Sequence, residues 1–432
     1  MRTKDLYPDP DSLSKNQPLT KFWTVRILSI VLAIIFAFSL DFLANNFLSK
    51  YAAGLVFLAG IYVTLAVSLN LINGITGQFS IGHFAFFEIG AYSAAVISKA
   101  FFSQNQHSQP SISAQFAWVA MMMIPAVVFA AVAGLIIGLP SLKLKGDYLA
   151  IATLGFGEII RIATENIQHF GSIKTGGSEG LSFLPSYQSI ALCWLLAILC
   201  IAMSRNLIKT VHGLGFLSVR EDEIAANSMG VNTTRLKVLA FIIGSAFAGA
   251  AGALYAHKSG FVTPEEFKMD GSILIVTMVI FGGSGSITGS IFAGIVLFYI
   301  PELLRDLHNV SYGGFIATIF AVIFAVGQLK RISDMHFDTK PQKVIRLVSI
   351  LVVAVVLEFL LKFVLDLVPK IAHHHSIDGS SLRIVVLAAT LIIMMLFRPQ
   401  GVFAHHEFSW AWVRKVLRMS PTKEATNGAN ST

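Results

Sequence analysis

Apolar runs recur along the whole chain, separated by short polar breaks. Most have about the 20 residues that a helix needs to cross a hydrocarbon layer. They fall at 27–43, 53–72, 82–101, 115–139, 148–164, 188–204, 236–256, 272–282, 287–303, 314–328, 347–368 and 383–397. The pattern predicts an all-α integral membrane protein, a polytopic bundle of about 10–12 transmembrane helices. Two places break the rhythm. The run at 148–164 carries Glu158 and Arg161, and 272–282 is too short to span untilted.

That short run ends in a glycine cluster, Gly282, Gly283, Gly285 and Gly289, and a second interruption carries Gly74, Gly77 and Gly82. Glycines at such points predict broken or re-entrant helices, whose freed N–H and C=O groups can hold a zwitterion. Gln78, Ser80, His83 and Thr288 are the polar side chains within these breaks and form a candidate substrate pathway, with helix capping or packing as the plainer role. Gly244, Gly249 and Gly252 sit inside 236–256, at a spacing that lets helices approach closely.

The 55% hydrophobic and 13% charged residues exclude a water-soluble enzyme of this length. The net charge of +8 is explained by where the basic residues fall. With the N-terminus in the cytoplasm and twelve spans, cytoplasmic segments hold five in the N-terminal tail, two at 143 and 145, five between 205 and 237, five between 330 and 346 and five beyond 397. Those 22 of the 32 Lys and Arg make the positive-inside bias, put both termini in the cytoplasm and remove any need for nucleic acid as a partner. Asp9, Asp11 and two prolines precede the first apolar run without a small-residue cleavage site after it, so no signal peptide is expected. Phe408 to Met419 alternates apolar and basic residues as a helix on the inner leaflet would.

Catalytic motifs are missing. There is no P-loop lysine beside the glycine cluster and no H-E-x-x-H, C-x-x-C or G-x-S-x-G pattern, so neither ATP hydrolysis nor a protease or hydrolase is expected of this chain. Cys193 and Cys200, seven apart in one apolar run, read as buried small hydrophobes. His373, His374 and His375 read as a polar loop rather than a metal site.

The most informative stretch is the cytoplasmic loop 205–235. Ser218 and Glu221 fit a capping box, Glu221, Asp222 and Glu223 place acids in a first turn beside Arg220, and Gly230 fits a helix end. A helix of about three turns is expected, carrying Ala225, Ala226 and Met229 at its centre, small or pliable residues over which another protein can come close.

Glu223-x-Ala225-Ala226-x-x-x-Gly230 resembles the loop signature of ATP-binding-cassette importer permeases. The longer strings are similar to the LivM-type permeases of branched-chain amino acid importers: Arg220 to Ala226, Met229 to Asn232, Lys237 to Phe241, Ala246 to Ala256, Asn70 to His83, Gly90 to Tyr92, Lys145 to Leu154, Thr175 to Gly177 with Gly180-Leu181, Gly282 to Gly289, Pro301 to Leu304, and Phe397 to Gly401. The resemblance implies a permease subunit in the bacterial inner membrane. Its partners would be a second, LivH-like permease, two cytoplasmic ATPases that carry ATP-Mg, and an extracytoplasmic substrate-binding protein. It also implies that Arg220 to Gly230 is the coupling helix, and that the substrate is leucine, isoleucine and valine, another amino acid, or urea and amides as for some relatives. This chain departs from the family in 308–381, an insert with extra apolar runs around Lys330 to Arg346, where Glu358 and Lys362 fit a helical ion pair. The expected parts are therefore a tail 1–26, a permease core 27–307, the insert 308–381, a terminal span 382–403 and an amphipathic tail 404–432. An ion-coupled secondary transporter using Glu88, Glu158 and Arg161 as its relay is the competing class.

Overall fold

The computed structural model describes residues 19–102, 112–141, 144, 146–170, 173–182, 187–305, 310–311, 376–377 and 401–402. The expected spans at 314–328, 347–368 and 383–397, the Glu358–Lys362 pair, the His373 run and the Phe408–Met419 helix lie outside the described residues. By internal contact the chain divides into two units, Met1–Phe298 with Met394–Thr432, and Tyr299–Ile393. The described part of the second comprises the end of one helix and the paired strands β5 (Val310–Ser311) and β6 (Ser376–Ile377).

Every apolar run within the described residues is a helix: α1 (Leu19–Phe47), α2 (Lys50–Asn70), α3 (His83–Phe102), α4 (Ile112–Ser141), α5 (Asp147–Asn166), α6 (Ile190–Ile208), α9 (Thr233–Ser259), α10 (Met269–Gly282) and α11 (Ile287–Arg305). Two short helices, α7 (Val211–Glu221) and α8 (Glu223–Ser228), fill the loop before α9. Six of the helices are long and apolar enough to cross a bilayer: α1, α2 with the turn that follows it, α3, α4, α6 and α9. The polytopic helical fold expected from the pattern of apolar runs is thus present.

Helix α9 is the hub, packing against α4, α3 and α2. Its glycines explain how. A Cβ on Gly252 would stand 2.1 Å from the Phe87 carbonyl oxygen in α3, and one on Gly249 would stand 2.6 Å from that of Ala126 in α4. The backbones touch where side chains would otherwise hold helices 8–10 Å apart. On the periphery α1 packs on α6, and Asp41 in the middle of an apolar sequence accepts hydrogen bonds from the backbone N–H of Ile190 (3.0 Å) and Ala191 (3.4 Å). Those amides belong to the first turn of α6 and have no partner within their own helix, so Asp41 caps a neighbouring chain segment and meets its positive dipole end.

The bundle has two distinct ends. At one, the hairpin β1 (His169–Phe170) with β2 (Ile173–Lys174) follows α5, strand β3 (Leu181–Ser182) pairs with β4 (Phe261–Val262), and Tyr187 N–H donates to the His257 carbonyl at 2.8 Å. At the other, the two glycine breaks and the α7–α8 loop meet. Cys193 and Cys200 are both buried and free, as expected.

Gly252→Ala should destabilise the fold by about 1–3 kcal/mol, because its methyl would meet rigid backbone. Gly155→Ala, where nothing lies within 4 Å, should be neutral or slightly stabilising. Thermal unfolding of the two variants in detergent checks this, and equal midpoints would contradict the packing described.

Candidate functional site

The first break begins where α2 widens into one π turn, Leu71–Ile75, and then unwinds until His83. Freed backbone groups find local partners. Thr76 donates its hydroxyl to the Leu71 carbonyl at 2.8 Å, and Gln78 N–H donates to Ile72. Asn73 bridges the loop like a short strand, donating to the Ser80 carbonyl and accepting from Ser80 N–H at 3.0 and 3.1 Å. Thr153 of α5 accepts from Ile81 N–H at 3.1 Å. The second break is tighter: Gly283 and Gly285 take φ of 109° and 92°, and Ser286 caps α11 by accepting from Gly289 N–H at 3.0 Å.

The two breaks touch each other. Asn70 accepts from Gly285 N–H at 2.8 Å, and a Cβ on Gly74 would stand 2.2 Å from that same nitrogen. Gly401, from the terminal motif, seats against Gly283, and Val402 N–H donates to the Phe281 carbonyl at 2.9 Å. Arg220 completes the junction. Its guanidinium donates to the Gly74 carbonyl at 3.1 Å, its stem lies over Gly77, and its Nη1 stands 2.7 Å from where a Gly285 Cβ would be. One cation from the loop therefore rests on both breaks, satisfying a carbonyl that the unwound helix leaves free.

The loop itself differs from the single helix expected. Ser218 does not begin a helix; it lies inside α7 and donates its hydroxyl to Gly215 at 2.8 Å. The helix stops at Glu221, and Asp222, with extended backbone, starts α8 by accepting from Ile224 and Ala225 N–H at 2.8 and 3.1 Å. Serine and aspartate cap comparably well, and Asp222 takes the role because the chain bends into an extended backbone there while Ser218 is still inside α7. The other acids are also engaged: Glu221 pairs with Arg220 at 3.1 Å and Glu223 with Lys237 at 2.6 Å. Gly230 ends the turn at φ 84°, as expected. Ala226 points inward and is 5% exposed, whereas Ala225, Ile224 (71%) and Met229 (84%) face out. The outward face is thus a small apolar patch on a rigid elbow. Ile224 is the member of it that the sequence reading passed over.

Gln78, Ser80 and His83 are all buried at the first break. Gln78 Nε2, Ser80 Oγ and His83 Nδ1 have no hydrogen-bond partner among the described residues, while His83 Nε2 lies 2.8 Å from the Ser68 hydroxyl. Thr288 is half-buried in the first turn of α11. In α5, Arg161 is held by Glu158 and Glu165 at 2.9 and 3.0 Å, which neutralises charge that the span must carry. Among the described residues no group of three His, Cys, Asp or Glu stands close enough together to hold a metal ion.

The family described as branched-chain amino acid transport system, permease component, matches residues 51–326. The chain is 34% identical over 282 residues to the high-affinity branched-chain amino acid transport system permease protein LivM of Salmonella typhimurium, covering 58% of this chain and 63% of that one. It is 34% identical over 294 residues to LivM of Escherichia coli, 61% and 66% of the two chains. The permease protein LivH of S. typhimurium is 25% identical over 287 residues, 63% of this chain and 90% of that protein. This chain thus spans just under two thirds of the length of the LivM relatives it matches. No solved structure matches it. Because the matched segment covers well over half of the sequence and contains both breaks and the elbow between them, the chain belongs to the branched-chain amino acid transport permease family.

Proposed function

We propose that this chain is the membrane-spanning permease subunit of an ATP-driven importer for branched-chain or related amino acids in a bacterial inner membrane. The observation that carries the reading is the elbow: a capped two-helix loop with an exposed apolar tip, wedged by Arg220 onto the two broken segments. A secondary transporter needs broken helices but no such outward tip. On this reading the α8 face of Ile224, Ala225 and Met229 sits in a groove of a cytoplasmic ATPase, which binds ATP-Mg and does the hydrolysis. A second, LivH-like permease completes the pathway, and an extracytoplasmic binding protein delivers substrate to the strand-paired end. Movement of the elbow displaces Arg220, and with it the Gly74 and Gly285 segments. The pathway through Gln78, Ser80, His83 and Thr288 lies beside those segments in sequence, and Gln78 Nε2, Ser80 Oγ and His83 Nδ1, unpartnered among the described residues, are polar atoms that a passing solute could meet.

The docking face is tested by Met229→Glu and Ile224→Glu, measured as ATP-driven uptake beside co-purification of the ATPase subunits. Both variants should insert normally, lose the ATPases and lose transport, since a charge is placed where apolar contact is required. Full uptake by both would remove the elbow from the mechanism. Ala226→Glu is the wrong probe, because that side chain is packed within this chain.

Arg220→Ala should keep the ATPases bound while uptake falls about tenfold, the loss that 1–2 kcal/mol of coupling produces. Arg220→Lys, which keeps one charged donor for the Gly74 carbonyl, should recover part of it. Wild-type transport by Arg220→Ala would show that the junction transmits nothing.

Orientation is tested with single cysteines at two exposed positions, Ser178→Cys at the strand-paired end and Ser228→Cys on α8. In intact cells an impermeant thiol reagent should label the first and not the second. The reverse result would invert the topology.

A further inference from the structure

Charged side chains of both signs gather beside α5, at a depth where a span is expected to be apolar. In α5 itself Arg161 is bonded to Glu158 and Glu165 at 2.9 and 3.0 Å. Against α5 packs the 3-10 turn Pro264–Phe267, which carries Glu265, and the next residue, Lys268, pairs with that carboxylate. Lys268 by hydrogen bond, and Arg161 through its charge, hold the Glu265 carboxyl below the usual carboxylate range. Aromatic neighbours fix the depth. Phe267 lies against Phe84 and Phe87 of α3, with ring centroids 5.9 and 5.5 Å apart, and Phe87 comes just over four turns before the α3 end at Phe102, about 22 Å along the axis. Ser272, in the first turn of α10, accepts from Phe84 N–H at 3.3 Å, so the 14-residue α10 starts within the bundle and not at its surface.

Charges at such depth cannot face hydrocarbon, yet the Glu265 and Lys268 side chains are 61% and 51% exposed. They therefore line a water-filled recess, which opens toward the strand-paired end because the chain descends to Glu265 directly from β4. Both charges are within reach of a solute there. The two ionic groups differ in kind. Arg161 is locked between two acids, whereas Lys268 and Glu265 lie three residues apart on one exposed turn, and a pair of that sort exchanges partners readily. A molecule that carries a carboxylate and an ammonium on one carbon can meet both halves of the pair at once. We propose that the recess binds zwitterionic α-amino acids by insertion into this pair, the carboxylate going to Lys268 and the ammonium to Glu265, with Arg161 and its two acids as the fixed rim. The start of α10, which no side chain caps, adds the positive end of its dipole beside the carboxylate. The assignment deepens the importer reading above, on which it rests, and it gives the short helix two working ends: the solute is held at Met269, and Gly282, about 20 Å further along, begins the second break.

The test uses the assembled permease and ATPase complex in nanodiscs, where both faces meet the reagent, with the binding protein left out so that free leucine is the probe. Met269→Cys places a thiol beside the pair at an exposed position, against a background in which both native cysteines are buried. A water-soluble, membrane-impermeant methanethiosulfonate should label it, and should not label Ile124→Cys, which is exposed on α4 to lipid. Labelling of Met269→Cys should slow about tenfold at a leucine concentration about ten times its dissociation constant. Isopentylamine, which lacks the carboxylate, and 4-methylpentanoate, which lacks the amine, should each protect far less at that concentration. Adding Lys268→Gln or Glu265→Gln should abolish protection by leucine. The swapped pair, Glu265→Lys with Lys268→Glu, keeps one charge of each sign and should protect again, which separates a lost ligand contact from a damaged fold. No labelling of Met269→Cys, no protection by leucine, equal protection by either half-molecule, retained protection in Lys268→Gln or none in the swapped pair would overturn the proposal. ATP-driven uptake of leucine is read separately in proteoliposomes: its absence counts against the importer reading, whereas zwitterion-specific protection is judged on its own.

Discussion

In a hydrocarbon medium every backbone N–H and C=O must find a partner inside the protein, and the architecture follows from how that demand is met where helices stop. Along the spans the helices meet it themselves. At the two glycine breaks they cannot, and the missing partners come from side chains: Asn73 across its own loop, Thr153 from α5, Asn70 for Gly285, and Arg220 for Gly74. The breaks are therefore knitted to each other and to the loop outside the bundle. A segment that is unwound to be useful becomes, by the same physics, one that neighbouring elements can pull on.

Arg220 has the most demanding position in this arrangement. Its donors are divided between a backbone carbonyl and Glu221, and its stem occupies space left by glycines. The planar fork of guanidinium suits that double duty better than a point-charge ammonium. Glu221 adjoins Asp222, whose carboxylate starts α8, so cap, ion pair and backbone bond follow in three consecutive residues. A rigid connection of this kind needs no long-range network, only contact.

Local chemistry was legible in the sequence and distant pairing was not. The runs at 53–72 and 188–204 appear as helices Lys50–Asn70 and Ile190–Ile208, because span length and apolar continuity are set by the surrounding medium and leave little choice. The glycines marked both breaks correctly, and Gly230 its turn. That the breaks meet, 215 residues apart at Asn70 and Gly285, has no local signature at all. The cap fell to Asp222 instead of Ser218 because both residues have the right chemistry and only the bend of the chain decides between them. Periodicity likewise could not say which of two adjacent alanines faces inward, since in a six-residue helix the packed side depends on what lies beneath it.

The cap that Asp41 places on α6 bears on how the protein is made. Its partner amide lies 149 residues later in the chain, and at a few to twenty residues per second a ribosome needs roughly 8–30 s to supply it. Through that interval α1 is in the membrane with a carboxylate in its final two turns and no helix end to receive it. Until α6 is made, Asp41 has no helix end to cap and must be satisfied by water or headgroups. Biogenesis then has an order imposed by a single acid: α1 is made before α6 but completes its contacts only after it.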